Sequence, residues 1–161
     1  MTPGTGETVH FDVPTACAFA RAGRLEEWIH AYLRAGHWAN LPLSEGLARQ
    51  RRWWNGPLEL PLDCLTPCVG PSPDMEYVVE PEGWAEHTAD MAAGFTELLA
   101  VPPLIAEYRA GALSIRDGNT RYAAFRIKGW RTCWAIIWYN AEEDYLAHTA
   151  CLAGCGLLAV E

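Results

Sequence analysis

Apolar positions recur at helical spacing early in the chain. Leu25, Trp28, Ile29, Tyr32 and Leu33 follow the i, i+3, i+4, i+7, i+8 pattern of a buried helix face. Asp12 and Thr15 are candidate N-caps for this region, Gly23 a candidate interruption and Gly36 a candidate stop. Ser44 is then expected to cap a short helix from Glu45 to about Arg52. Leu58, Leu60 and Leu62 alternate like a short edge strand, because Pro57 and Pro61 bar a central one. The Pro- and Gly-rich stretch from Asn55 to Pro81 reads as a wrapping loop. It suggests an N-terminal helical extension, 1–56, and an α/β domain, 57–161, packed as one unit.

The second half has sharper signals. Pro81 opens a helix with Trp84, Thr88, Met91, Phe95 and Leu98 along one face, expected to run on until Pro102-Pro103. Two short strand patterns follow, Leu104 to Tyr108 and Leu113 to Arg116, joined by an Arg109-Ala110-Gly111 turn. Asp117-Gly118-Asn119 is a turn, Thr120 to Lys128 a helix, and Gly129 its stop. WRTCWAIIWYN is aromatic, β-branched and charge-poor after Arg131, which predicts a strand. Ala141 to about Ala153 predicts a last helix. The pattern as a whole is α+β.

Composition narrows the reading. A chain of 161 residues, half of them apolar and with eight tryptophans, can fill one core. The net charge of −8 argues against a general nucleic-acid coater. Yet six basic residues (Arg109, Arg116, Arg121, Arg126, Lys128 and Arg131) stand against one acid, Asp117, in a window of net +5. Between Asp74 and Glu107 there are eight acids and no Lys or Arg. That split suggests a localised anion site, although on charge alone the commoner reading is that these charges decorate the solvent faces of strands and a helix. The first residues lack the basic region and apolar run of a secretory signal, and no apolar stretch approaches the ~18 residues of a membrane span, so the expected setting is the cytoplasm. Cys64/Cys68 and Cys151/Cys155 share a C-x3-C spacing, looser than structural zinc knuckles. Zinc is disfavoured, and the six cysteines read mainly as small buried hydrophobes. His30 and His37 have no evident third ligand nearby. Arg49, Arg51 and Arg52 with Trp53 and Trp54 form a basic–aromatic cluster, which reads first as a wedge between helices and core, second as a stacking site.

The order strand, Asp-Gly-Asn turn, helix, strand carries the chemistry. The turn delivers the chain into a helix N-terminus, where free amides and the helix dipole attract anions. Gly118 permits close backbone approach, and Arg121, one turn inside, offers a forked donor. Asp117 is placed to orient Arg121, accept a proton or bind Mg2+.

The segment SIRDGNTRYAAFRIKGW resembles the signature of the ParB/sulfiredoxin superfamily, in which a strand ends in a G-x-H-R or G-E-R-R type motif followed by an Ala-rich helix and a glycine. PPLIAEYRAGALSI resembles the two preceding strands, and WAIIWYN the following one. The resemblance implies a small mixed sheet flanked by helices, and phosphate chemistry with ATP or CTP and Mg2+. It assigns Asp117 and Arg121 to catalysis, and Arg116, Gly118, Asn119, Thr120 and Arg121 to the nucleotide or a small phosphorylated molecule. Thr120 stands where the family usually has His: a hydroxyl still bonds a phosphate oxygen but supplies no imidazole charge or acid–base function. The sulfiredoxin cysteine is also missing, since Asn119 occupies its place, and sulfinate reduction is disfavoured. There is no G-x4-G-K-[ST] loop. Two functions follow nearly level: a nucleotide-dependent phosphotransferase or hydrolase, and a non-catalytic nucleotide- or anion-binding module. A DNA-associated ParB-like protein or nuclease ranks well behind.

Overall fold

The computed structural model describes residues 9–36 and 39–155. His37 and the C-terminal GLLAVE lie outside these. Three helices come first: α1 (Val13–Arg21), α2 (Leu25–Leu33) and α3 (Leu41–Leu47). Then come strands β1 (Trp53–Pro61), β2 (Thr66–Pro67), β3 (Val69–Gly70) and β4 (Tyr77–Val78), and helix α4 (Pro81–Gly94). The remainder is β5 (Leu104–Arg109), β6 (Ala112–Asp117), α5 (Asn119–Lys128), β7 (Thr132–Tyr139) and α6 (Glu142–Gly154). The class is α+β.

The main sheet has the order β1-β7-β5-β6-β2. β5 and β6 form an antiparallel hairpin whose two-residue turn, Ala110 and Gly111, has positive φ at both positions. α5 carries the chain past β5, so that β7 pairs parallel to β5 on its far side. β1 closes that side, antiparallel to β7. Strand alternation divides the apolar residues between two faces. Leu104, Ala106, Ala135, Ile137 and Tyr139 join Tyr122 and Phe125 of α5 in one core. Ile105, Ile136 and Trp138 join Trp28, Ile29, Tyr32, Leu33 and Leu47 in the other. β7 is covered on both faces, which is why its sequence is a continuous apolar run rather than an alternating one.

The helix face read from Leu25 to Leu33 is buried at all five positions, and Asp12 caps α1 by accepting from the Thr15 amide at 2.9 Å. The third helix differs from expectation. It starts at Leu41 with Asn40 as its cap and Pro42 in the first turn. Ser44 lies inside it, buried, with its hydroxyl 2.7 Å from His30 Nδ1. Arg52 ends no helix; it donates to the carbonyls of Leu47 and Gly46 and leads into β1. β1 is longer than its alternating leucines suggested and spans residues 56 and 57. Pro57 is tolerated because β1 is an edge strand and the Gly56-Pro57 peptide, which is cis, sits at a register shift between Asn55 and Leu58. A Cβ at Gly56 would lie 2.7 Å from the Ala135 carbonyl, so β1 approaches β7 closely only with glycine there.

α4 also stops earlier than the periodicity indicated. Phe95 is extended and leaves the helix to pack against Phe125 and Trp130. The cysteines split: Cys17, Cys68 and Cys133 are buried, but Cys64, Cys151 and Cys155 are exposed. No disulfide joins them among the described residues. No helix among those residues is long and apolar enough to cross a membrane.

Candidate functional site

The Asp-Gly-Asn turn lies where β6 hands the chain to α5. Gly118 is the N-cap, with φ +100°, and makes no side-chain cap. A Cβ there would stand 2.5 Å from both Arg121 Nη2 and Leu104 Cδ2, so both the conformation and the space demand glycine. The first turn of α5 contains no acid, and its leading amides have no intrahelical carbonyl to bond. Gly118 and Thr120 line a cavity of about 240 Å3 together with Tyr32, Ala39, His87, Met91, Asp117 and Arg121.

Arg121 occupies an interior position, only 2% exposed. Its Nη1 donates to the Tyr32 hydroxyl, and its Nη2 to Asp117 Oδ2 at 3.2 Å and the Pro103 carbonyl at 3.3 Å. Asp117 is held from two further directions. Tyr32 donates to Oδ2 at 2.8 Å, and Asn40 Nδ2 to Oδ1 at 3.2 Å. Asn40 thus caps α3 and fixes the carboxylate with the two ends of one amide. Burial pushes the Tyr32 phenol well above its ordinary pKa, so it remains a donor. Burial also opposes the Arg121 charge, but the Tyr32 and Asp117 oxygens outweigh it and raise the guanidinium pKa. Removing Asp117 or Arg121 alone would strand the other's buried charge.

The other expected residues divide. Asn119 is buried and turned to the β2–β3 segment. Its Oδ1 accepts from the amides of Cys68 (2.8 Å) and Val69 (3.2 Å), and its Nδ2 donates to Ile115 O at 3.1 Å. Arg116 pairs with Glu76 at 3.0 Å and Glu107 at 3.5 Å and does not line the cavity. Thr120 does line it. The structure therefore gathers Asp117, Gly118, Thr120 and Arg121 in one place and leaves Asn119 and Arg116 outside it.

Three participants were not anticipated: Tyr32, Asn40 and His87. Tyr32 was read only as a member of an apolar stripe, though a tyrosine fully buried in such a stripe requires a partner for its hydroxyl. His87 lies on α4 beside the acids Glu82, Glu86 and Asp90. None of those acids lines the cavity, but His87 does. Both Asp117 oxygens are already taken by Tyr32, Asn40 and Arg121, and no group of three His, Cys, Asp or Glu side chains suited to a metal occurs among the described residues. The donor set does not fit a protein-held Mg2+.

No family model and no curated protein matches the chain. Among solved structures it is similar to sulfiredoxin from Arabidopsis thaliana, at 18% identity and TM-score 0.37, over 62% of this chain and 97% of that one. It is also similar to the C-terminally truncated chromosome-partitioning protein ParB from Caulobacter crescentus complexed with CTP-gamma-S, at 16% identity and TM-score 0.36. That match spans 58% of this chain and 47% of the ParB chain.

Proposed function

We propose that the chain is a phosphate-recognising, nucleotide-binding protein that holds its ligand at the start of α5 without turning it over. The observation that carries this reading is the start of α5, with no side-chain cap and no acid in its first turn, opening on a cavity that has Thr120 and His87 at its wall and Asp117 already paired with Arg121. Such a helix start favours an anion through its amides and its dipole. The Thr120 hydroxyl adds a donor. At about 240 Å3 the cavity suits a phosphate group, with the rest of the molecule extending through the mouth. Asp117 supports the non-catalytic reading, because a carboxylate bonded to Tyr32, Asn40 and Arg121 is a poor base for an incoming substrate.

A second reading, a phosphotransferase or hydrolase using ATP or CTP, is favoured by His87. It returns an imidazole to a cavity whose motif has Thr in place of His. One experiment addresses both. ATP, CTP and inorganic phosphate, each with and without Mg2+, are added in a thermal melt, and phosphate release is followed in parallel. Binding raises the melting temperature by mass action, and Thr120→Val reduces the shift. Thr120 is the better probe than Arg121, whose burial makes its removal a stability experiment. No shift with any of the three ligands overturns the proposal. Phosphate release that is lost in His87→Ala replaces it with the second reading.

A further inference from the structure

A second cavity, of about 380 Å3, opens between α4, α5 and the β2–β4 segment, and shares no lining residue with the one at the α5 start. Its volume falls in the usual range for a small-molecule site. Val69, Met75, Trp84, Ala85, Ala123 and Ile127 give the wall its apolar side chains, with prolines beside them. Ile127 is 55% exposed and continues the apolar surface outward. The side-chain polar groups of Thr88, Asn119 and Tyr122 in the wall are already committed. Thr88 Oγ1 donates to Trp84 O at 2.8 Å, Asn119 is bonded to Cys68, Val69 and Ile115, and the Tyr122 hydroxyl donates to Leu62 O at 3.2 Å. They leave little for a polar guest.

Arg126 is the one charged residue in the lining. Its guanidinium lies over the Tyr122 ring, 5.1 Å from the centroid, and is half exposed. Its carboxylate partner, Asp63 at 2.8 Å, is itself 87% exposed. An exposed pair of this kind contributes little, so exchanging Asp63 for another anion costs little. The wall therefore offers apolar and aromatic contact, a polarizable thioether, and one cation at the edge.

We infer that this cavity binds a small planar apolar molecule carrying one anionic group, an aromatic carboxylate by class. The ring fills the space beside Trp84, Met75 and Tyr122, and the carboxylate takes Arg126 from Asp63. The site is independent of the phosphate reading, because the two cavities have separate walls.

Calorimetric titration with naphthoate, and with the neutral naphthamide as control, tests it. Naphthoate binds the wild-type chain. Arg126→Gln weakens naphthoate roughly tenfold, as expected for loss of a charge-assisted contact, and leaves naphthamide unchanged. Ala123→Leu fills the cavity and abolishes both, while any response to phosphate or nucleotide persists. Ala85→Leu, on the α4 side, serves if the first variant does not melt cooperatively. Absence of naphthoate binding overturns the inference. So does equal binding to Arg126→Gln, or binding that survives the filled cavity.

Discussion

Tyr32 shows how much a single hydroxyl organises. Its ring is stacked on Trp28 at 5.2 Å, and its oxygen joins Asp117 to Arg121 across a buried junction. Tyr32→Phe keeps the ring and removes the bridge. Asp117 then loses a donor and Arg121 an acceptor in an interior where neither is readily replaced. The expected loss is about 1–3 kcal/mol of unfolding free energy, read from the shift of a urea transition at constant slope. A change under about 0.5 kcal/mol would show that Asp117 and Arg121 hold each other without the phenol. This partnership was hidden in the sequence. Arg121 and Asp117 are four residues apart, and their pairing is local, but Tyr32 is 85 positions from Asp117. Helical periodicity marked Tyr32 as buried and gave no sign of what its oxygen touches.

At the scale of elements, the legible parts were those with a strong local rule. β5, β6, α5 and β7 follow from alternation, an Asp-Gly-Asn turn and a glycine stop, and α2 follows from its stripe. The parts that escaped lack a period of their own. β2, β3 and β4 are two residues each, too short for any pattern. α3 was misplaced because Ser44 is a good cap in isolation, whereas Asn40 followed by Pro42 is the cap in use.

α6 was expected, but what fastens it was not. Its His148 Nδ1 is hydrogen-bonded to the Tyr139 hydroxyl of β7, and its ring lies 4.8 Å from that of Tyr108. Burial holds the Tyr139 phenol up at about 12 and pushes the His148 imidazole below its ordinary 6.5. Burial beside Ser44 lowers His30 in the same direction. The unfolded chain therefore binds the two imidazole protons more readily than the folded one. Their contribution to stability is complete above about pH 6.5 and is lost as pH falls through the lower folded values. Urea midpoints should fall between about pH 7.5 and about pH 5, and His148→Leu should flatten part of that fall while His30 sustains the rest. A midpoint that does not move over this range in the wild-type chain would refute the coupling.

Over the whole molecule, the uneven charge takes on a different meaning from the one its sequence suggested. The +5 window around the turn is not an open cationic face. Arg109 and Arg116 share Glu76 and Glu107, Arg121 is buried with Asp117, and Arg126 pairs with Asp63. Four of the six basic side chains are thus answered by acids, three of which, Asp63, Glu76 and Glu107, come from outside the window. The exposed acids Glu82, Glu86 and Asp90 lie on α4, the helix that supplies His87 to the cavity. Duplex DNA binding draws most of its affinity from cations that displace counterions along many phosphates. A chain of net −8, with four of the six cations in this window paired, has few there to offer. A single phosphate group needs less: a helix start and a hydroxyl act at short range and suffer little screening. Fluorescence anisotropy of a labelled duplex should therefore show no binding at about 150 mM salt, under conditions where ATP, CTP or phosphate still raises the melting temperature. Retained duplex binding with a steep dependence on salt would place the functional surface elsewhere on the molecule and restore a nucleic-acid role.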